Sequence, residues 1–168
     1  LGILKADSVS PDLQVQHGDY TDMFVSVLGE ADPDLRFHIY DVTQFEYPDD
    51  LDDCDGYLIT GSRHSVYEPI EWITRLGEFV VELNAAKKKL VGICFGHQLV
   101  AHVLGGETAK SSKGWGVGRH ETTLSDPSRP QWSSEFGLLS SHQDQVQSLP
   151  DEARVIAQSD FCPIAGMA

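Results

Sequence analysis

One cysteine lies in a setting that can turn its thiol into a nucleophile. Cys94 stands between Gly92 and Gly96 within the segment KLVGICFGHQLVAHVLGGE, residues 89–107. The apolar residues before the cysteine predict the end of a buried strand. Apolar residues at helical spacing then predict a helix over residues 97–104, which a double glycine ends. A strand, a sharp turn and a helix with the cysteine at the apex form a nucleophile elbow.

The predicted position of Cys94 favours its thiolate form. The free amides and the dipole at a helix N-terminus stabilise an anion, and the amide of Phe95 points into the same space, where it can donate to an oxyanion. Gly92 and Gly96 allow the strand and the helix to approach each other closely around a strained turn. The competing interpretation is a small core residue, because cysteine is among the most buried residue types.

The stretch GICFGHQLVAHVLGG resembles the nucleophile segment of class I glutamine amidotransferases, whose pattern is G-x-C-x-G-x-Q followed by a helix and a double glycine. Gln98 occupies the glutamine position of that pattern. The resemblance implies that Cys94 attacks the γ-amide carbonyl of glutamine, that ammonia leaves, and that water or another acceptor resolves the γ-glutamyl thioester. It also implies that Gln98 belongs to the substrate site and that no metal or organic cofactor is needed.

A second segment, ITGSRHSVYE, resembles the oxyanion loop of the same family, S-G-G-P-x-S. Thr60, Gly61, Ser62 and Arg63 stand at S-G-G-P. The resemblance therefore implies that backbone amides of Ser62 or Gly61, together with that of Phe95, hold the oxyanion. Ser62 departs from the second glycine of the pattern, although a backbone amide survives a change of side chain where the fold permits the same angles. The alternative is an ordinary turn between a strand and a helix.

A third segment, FGLLSSHQDQV, aligns with the family's H-G-D-x-V through His142, Asp144 and Val146. Backbone groups of Ser141 and Gln143 are implied to bind the α-amino and carboxylate groups of glutamine, and Gln143 replaces the usual glycine. His142 is also a candidate general base. Family order places the base later, however, in an H-P-E motif close to the C-terminus.

No H-P-E triplet occurs in the 168 residues. Cysteine chemistry of this type needs a base for the thiol proton and a carboxylate that orients the base. We therefore expect the chain to be truncated before the His-Pro-Glu strand, and to be incomplete and inactive alone.

Three other functions stay open. ICFGHQ, SSHQDQV and EARVIAQSDFC resemble γ-glutamyl peptidases of this superfamily, which use the same thioester on γ-glutamyl peptides. A non-catalytic binding subunit with the same fold is a second alternative. A flavodoxin-like chaperone or redox sensor with an oxidisable Cys94 is a third. The resemblance implies glutamine or another γ-glutamyl compound as substrate and allows an ammonia-accepting synthetase domain or subunit as partner.

The wider pattern predicts an α/β fold of the flavodoxin-like type, with a doubly wound, mostly parallel sheet. Strands are predicted over residues 1–4, 35–40 and 54–60 and before the cysteine, with helices over 18–29 and 69–87. The glycine-rich run KGWGVG precedes a strand pattern, and a last short strand ends near residue 158. We expect one domain over residues 1–168, with Gly61 and Cys94 ending neighbouring strands at the sheet's C-terminal edge.

Composition excludes several classes of function. The chain carries 12 basic and 26 acidic residues, a net charge of −14, which argues against nucleic acid or an anionic membrane as partner. The acid-rich run 49–53 is interpreted as a solvated loop. Three cysteines without a C-x-x-C pair, and seven histidines without H-x-H or H-x-x-x-H, argue against a metal site. With no signal peptide and no apolar run of about 18 residues, we expect a cytoplasmic protein.

Overall fold

The computed structural model describes residues 1–125 and 134–168, and the chain forms two compact units, Leu1–Val100 and Ala101–Ala168. The first unit contains a four-stranded parallel sheet in the order β2-β1-β3-β4. Its strands are β1 (Gly2–Lys5), β2 (His38–Asp41), β3 (Gly56–Ile59) and β4 (Lys89–Gly92). This order is that of the first four strands of the flavodoxin-like sheet, and its switch point lies between β1 and β3.

Four α-helices connect or follow these strands: α1 (Pro11–His17), α2 (Tyr20–Ala31), α3 (Glu71–Ala85) and α4 (Phe95–Val103). Helix α2 begins at a capping box. The Asp19 carboxylate accepts a hydrogen bond from the backbone amide of Asp22, and the Asp22 carboxylate accepts one from the backbone amide of Asp19. Helix α3 buries one apolar stripe against the sheet layer. The buried residues of that stripe are Trp72, Ile73, Leu76, Phe79, Val80 and Leu83. Two short 3₁₀ turns, Val42–Gln44 and Leu51–Asp53, lie in the segment between β2 and β3.

The second unit contains antiparallel strands. One sheet has the order β10-β9-β6-β7, and a separate pair joins β5 to β8. The strands are β5 (Glu107–Lys110), β6 (Gly116–Leu124), β7 (Glu135–His142), β8 (Asp144–Ser148), β9 (Val155–Ser159) and β10 (Gly166–Met167). The predicted parallel sheet therefore accounts for the first unit, while the strands described in the second unit pair antiparallel.

The core of the first unit is formed mainly by β1 and β3, with α3 and the start of α4. Residues Ile3, Leu4, Ile59 and Phe95 have no more than traces of exposed surface. Strands that are buried on both faces have continuous apolar runs in their sequences, and such a run predicted β3. Within the described part of the chain, no helix has the length and apolar character needed to cross a bilayer.

Helix α4 ends where the double glycine predicts. Gly105 adopts a positive φ of +103°, and the amide of Gly106 donates to the carbonyl of Ala101 at 2.8 Å. This is the six-to-one bond of a Schellman motif, in which a left-handed residue closes the helix. The prediction that β3 and β4 are neighbours is also confirmed, because Ile59 pairs with Gly92 in parallel register.

Candidate active site

Cys94 lies between β4 and α4, and it is the exposed cysteine of the chain, whereas Cys54 and Cys162 are buried. Its backbone has a φ of +53°. A non-glycine residue in this left-handed region costs on the order of 1–3 kcal/mol, so the surrounding contacts must hold it there. The amide of Gly96 donates to the carbonyl of Ile93, and that of Gln98 donates to the carbonyl of Cys94, both at 3.0 Å.

Two glycines allow this turn to form. A Cβ atom on Gly92 would lie 2.6 Å from the backbone nitrogen of His97 and closer still to the carbonyl of Gly96. A Cβ atom on Gly96 would lie 2.7 Å from the carbonyl oxygen of Ile59 on the neighbouring strand. Only hydrogen fits at either position, because real Cβ contacts do not come under 3.0 Å.

Phe95 anchors the first turn of α4. Its side chain is fully buried, and its ring centroid lies 5.7 Å from that of Trp72 on α3. As the first helical residue, Phe95 has a backbone N–H without an intrahelical acceptor. Gln98, one turn further along α4, is buried as well. The same turn thus fixes Cys94 on its exposed side and Phe95 on its core side.

The loop of residues 60–63 follows β3 and lies beside the cysteine. A Cβ atom on Gly61 would stand 3.7 Å from the Cβ of Cys94. The buried hydroxyl of Thr60 accepts from the amide of Ala6 at 2.9 Å and donates to the carbonyl of Gly61 at 3.1 Å. The hydroxyl of Ser62 accepts from the amide of His64 at 3.3 Å. Gly61 and Ser62 are therefore positioned at the carboxyl edge of the sheet, in the same unit as Cys94 and Phe95.

Arg63 ties this loop to the segment after β1. Its guanidinium forms a bidentate pair with Asp7, with Nε–Oδ2 and Nη2–Oδ1 distances of 2.9 Å, and its backbone amide donates to the same carboxylate at 2.8 Å. Burial opposes ionisation of Asp7. The hydrogen bonds from Arg63 and from the amide of Ser8 outweigh that effect and hold the pKa of Asp7 below its usual value.

Tyr20, the first residue of α2, belongs to the same neighbourhood. The pKa of Tyr20 is raised, mainly by burial and next by the charge of Asp7. The charge of Arg63 lowers this pKa, and smaller contributions from Asp19 and Cys94 raise it. Electrostatic interactions of this kind require the groups to lie near one another. Asp7, Arg63 and Cys94 follow three adjacent strands of the sheet, β1, β3 and β4.

A second charged cluster lies at the same end of β1. The Nζ atom of Lys5 lies 3.1 Å from Asp41 and 3.4 Å from Asp19. Burial lowers the pKa of Lys5, but its hydrogen bonds and charge interactions with Asp41 and Asp19 raise it overall. Burial raises the pKa values of Asp19 and Asp41. Their hydrogen bonds and the charge of Lys5 outweigh burial, so both pKa values lie below the usual value. The cluster fixes the start of α2 beside β1 and β2.

The remaining predicted site residues lie in the second unit. Ser141 and His142 end β7, paired with Val117 and Gly116 of β6, and Gln143 forms the connection to β8. The carbonyl of Gln143 accepts from the amide of Ser111 at 2.9 Å. The Nδ1 atom of His142 lies 3.0 Å from the carbonyl oxygen of Asp144, so Nδ1 carries the hydrogen in that bond.

Phe161 supports this corner. Its ring centroid lies 5.5 Å from that of His142 and 5.2 Å from that of His120, and a Cβ atom on Gly116 would come within 2.6 Å of its Cζ atom. The side-chain amide of Gln145 donates to the carbonyl of Phe161 at 3.0 Å. A cavity of about 150 Å³ adjoins the ring. It is lined by Ser111, Ser112, Lys113, Gln145, Phe161 and Ile164.

The first unit brings together the predicted site residues Cys94, Phe95, Gly61 and Ser62, whose roles stay predictions. Sequence reasoning did not single out Asp7, and it did not predict the hydrogen bonds of the Thr60 hydroxyl. The signal for Asp7 is its place two residues after β1, at the switch point where ligands bind in open α/β sheets. For residues 1–125 and 134–168, no group of three or more histidine, cysteine or acidic side chains is arranged to hold a metal ion.

Comparison with known proteins identifies the family. The family described as glutamine amidotransferase class-I matches residues 16–168. The chain belongs to the class I glutamine amidotransferase family.

The chain is 32% identical to γ-glutamyl peptidase 3 of Arabidopsis thaliana over 88% of its own length and 63% of that protein. It is 34% identical to γ-glutamyl peptidase 5 of the same plant, over 92% of its own length and 64% of that protein. It is also 34% identical to a glutamine-hydrolysing GMP synthase of Azoarcus sp., over 79% of its own length and 26% of that protein. The chain thus spans less than two thirds of the length of these relatives.

Solved structures share the fold. A glutamine amidotransferase from Methylobacillus flagellatus superposes with a TM-score of 0.79 at 20% identity, covering 100% of this chain and 64% of that one. One from Thermotoga maritima superposes with a TM-score of 0.80 at 18% identity, covering 100% and 71%.

Proposed function

We propose that this chain carries the glutaminase site of a glutamine amidotransferase, with Cys94 as the nucleophile. One observation carries the proposal: Cys94 is exposed at a φ of +53° between β4 and α4, beside Gly61 at the carboxyl edge of a parallel sheet. This geometry supports a nucleophile elbow, which exposes a reactive atom on a strained turn at the top of a sheet.

The reaction proceeds in two balanced steps. The thiolate of Cys94 attacks the γ-carbonyl carbon of glutamine, the carbonyl oxygen becomes an oxyanion, and the carbon–nitrogen bond then breaks as ammonia leaves with an added proton. Water attacks the resulting γ-glutamyl thioester, the carbon–sulfur bond breaks, and glutamate leaves. Neither step needs a metal or an organic cofactor.

The backbone amide of Phe95 and that of Ser62 or Gly61 hold the oxyanion. Such donors act best when they are fixed before the reaction begins, and the burial of Phe95 and the hydrogen bonds of Thr60 support this rigidity. Gln98, on α4 of the same unit as Cys94, binds the substrate in the proposal. The Ser141–Gln143 segment lies in the second unit, and its role stays a prediction of the sequence resemblance.

The general base and its orienting carboxylate are not assigned to residues of this chain. No His-Pro-Glu triplet occurs in the 168 residues, and these residues span less than two thirds of the length of the relatives named above. We propose that residues 1–168 belong to a single amidotransferase-like domain. Activity assays therefore use the full-length protein.

Labelling with 6-diazo-5-oxo-norleucine, a glutamine-like alkylating agent, tests the proposal. Intact mass is compared for the unsubstituted full-length protein, Cys94→Ala and the matched control Cys162→Ala, which removes a buried thiol. We expect one adduct on the unsubstituted protein, one on Cys162→Ala and none on Cys94→Ala. A folded protein that takes up no adduct, or an adduct that persists in Cys94→Ala, would contradict the proposal.

A second candidate is a γ-glutamyl peptidase, and the 32–34% identity to two plant proteins of that name favours it. The thioester chemistry is the same, but the leaving group is the amine of a peptide instead of ammonia. Initial rates on glutamine and on γ-glutamyl dipeptides distinguish the two. A kcat/KM at least tenfold higher for glutamine supports the amidotransferase, and the reverse ratio supports the peptidase.

An ammonia-accepting synthetase domain or subunit is proposed as partner only for the amidotransferase. The relative named as a glutamine-hydrolysing GMP synthase supports such a partner. Glutaminase activity that rises when an acceptor-bearing partner is added would be the expected sign.

A further inference from the structure

One carboxylate attaches the Arg63 end of the loop of residues 60–63 to the segment that follows β1. Asp7 accepts from the backbone amide of Arg63, from both arms of the Arg63 guanidinium and from the amide of Ser8. The guanidinium also donates to the carbonyl of Ser8 at 3.1 Å. Four of these five hydrogen bonds join the segment after β1 to the segment after β3, and three of the four go to the Asp7 carboxylate.

The pair differs from an ordinary surface ion pair. An exposed pair contributes little, because both side chains must be ordered and water screens their charges. Here the side chain of Asp7 is only 12% exposed, although that of Arg63 is 68% exposed. The planar fork of arginine fixes the direction of approach as well as the distance. Because the backbone amide of Arg63 is bound to the same carboxylate, the loop itself is held, and not only its side chain.

The attachment lies next to the proposed reaction centre. A Cβ atom added to Gly61, two residues before Arg63, would lie 3.7 Å from the Cβ of Cys94. A loop that contains glycine and serine at its apex has considerable freedom unless it is bound on its far side. The hydroxyl of Thr60 holds one end of the loop to Ala6, and Asp7 holds the other end.

We propose that Asp7 and Arg63 are positioning residues, which hold the amides of Gly61 and Ser62 at the place where the oxyanion forms beside Cys94. This role rests on the proposed function. Neither side chain needs to touch the substrate. The pair acts through the backbone, so its loss lowers the stabilisation of the transition state more than the binding of the substrate.

Asp7→Asn and Arg63→Ala in the full-length protein test this role. We expect kcat for γ-glutamyl hydrolysis to fall about 10- to 100-fold in both, the loss that a misplacement of about 1 Å produces, while KM changes little. Arg63→Lys, which keeps the charge but not the fork, should recover part of the loss. Arg119→Ala is the matched control, since Arg119 is similarly exposed and pairs with Glu121 on the other unit.

Alkylation of Cys94 by iodoacetamide separates positioning from a charge effect, because that displacement forms no oxyanion. Asp7→Asn removes a negative charge near the thiol, and Arg63→Ala removes a positive one, so a pure charge effect changes the two rates in opposite directions. Positioning predicts that kcat falls in both variants and that alkylation changes much less. Opposite changes in kcat, an increase in KM alone, or values of kcat close to that of the unsubstituted protein would overturn the inference.

Amide hydrogen exchange distinguishes failure of this inference from failure of the proposed function. If the protein is active, we expect the backbone amide of Arg63 to exchange slowly in the unsubstituted protein and faster in Asp7→Asn. Fast exchange at Arg63 in an active unsubstituted protein would overturn the positioning role and leave the proposed function intact. If the unsubstituted protein hydrolyses neither glutamine nor γ-glutamyl amides, the proposed function is wrong and the positioning role is overturned with it. Slow exchange at Arg63 in that case identifies a purely structural pair.

Discussion

Alanine at position 92 introduces a methyl group where the backbone of α4 already lies. The added Cβ atom would be 2.6 Å from the backbone nitrogen of His97, whereas ordinary contacts begin near 3.4 Å. The carbonyl carbon and oxygen of Gly96 would be closer still, at 2.4 Å, so the first turn of α4 must move by about 1.0 Å. The atoms in the way are main-chain atoms that are fixed by the hydrogen bonds of the turn, so no side-chain rotation can relieve the contact.

The expected cost follows from this displacement. Insertion of a methyl group into a close-packed site costs about 1–3 kcal/mol, and the rigidity of the turn places Gly92→Ala at roughly 2–3 kcal/mol. For a chain of this size, that loss lowers the midpoint of thermal unfolding by roughly 4–12 °C. Turnover measured well below the midpoint should fall as well, by up to about 100-fold, because the same movement displaces Cys94 and the amide of Phe95.

Gly29→Ala is the matched control, since Gly29 lies inside α2 and an added Cβ atom there meets nothing within 4 Å. Alanine in a helix stabilises by roughly 0.5–1 kcal/mol relative to glycine, so this variant should unfold at a slightly higher temperature. Circular dichroism during heating measures the change in thermal stability. Hydrolysis at about 20 °C, where the folded state is near its most stable, measures the change in turnover. A Gly92→Ala protein as stable and active as the unsubstituted one would refute the argument that this contact fixes the turn.

Three further predictions concern the site and its supports. Gly61→Ala should fold with little loss of stability, because its new Cβ atom meets the Cβ of Cys94 at an ordinary 3.7 Å, but its kcat should fall since the methyl group occupies space beside the thiol; thermal unfolding and kinetics measured together test this. Lys5→Met should destabilise by about 1–2 kcal/mol at neutral pH, because it leaves Asp19 and Asp41 without their cation, and urea unfolding measures the difference. Folding lowers the pKa values of these carboxylates, so their contribution to stability is present above the unfolded pKa of 3.8 and is lost as the pH falls through the folded pKa values. Lys5→Met should therefore lose less stability than the unsubstituted protein when the pH is lowered from about 5 to about 2, a range that spans the ordinary and the lowered carboxyl pKa values. Phe161→Ala should destabilise by about 1–3 kcal/mol because its ring packs on His120, His142 and Gly116, whereas Leu139→Ala, at a side chain that is 85% exposed, should change stability little.

Local patterns were enough to predict the elements around the cysteine. Strand β4, the turn and helix α4 follow from glycine spacing and apolar periodicity, and β3 follows from a continuous apolar run. Helix α1 was not predicted, because Pro11–His17 buries no residue and so leaves no apolar stripe in the sequence. Strand β2 begins later than predicted, at His38, and its exposed Ile39 weakens the alternation by which a half-buried strand is recognised.

The antiparallel pairing of the second unit was also outside the reach of the pattern. Strands β6 and β7 pair from Gly116 with His142 to Thr123 with Glu135, yet their sequences are rich in glycine, serine and charged residues. Such strands carry little of the apolar and β-branched signal that marks a buried sheet. Asp7 was missed for a different reason: its partner Arg63 is 56 residues away, and only the parallel pairing of β1 with β3 brings the two together.

The topology explains why we propose Cys94, and not one of the other cysteines, as the nucleophile. Burial raises the pKa of the Cys162 thiol, and the side chains of Cys54 and Cys162 are both buried, so neither thiol is accessible to a substrate. The order β2-β1-β3-β4 places the carboxyl ends of three adjacent strands side by side, and each end contributes one part of the proposed site: Asp7 after β1, Gly61 and Arg63 after β3, and Cys94 after β4. The strand order therefore determines where the site forms, while the two glycines that flank the turn determine which thiol occupies it. A strained backbone at Cys94 persists because both neighbouring loops are held by hydrogen bonds that do not depend on the thiol, and for this reason Cys94→Ala should remove reactivity without removing the fold.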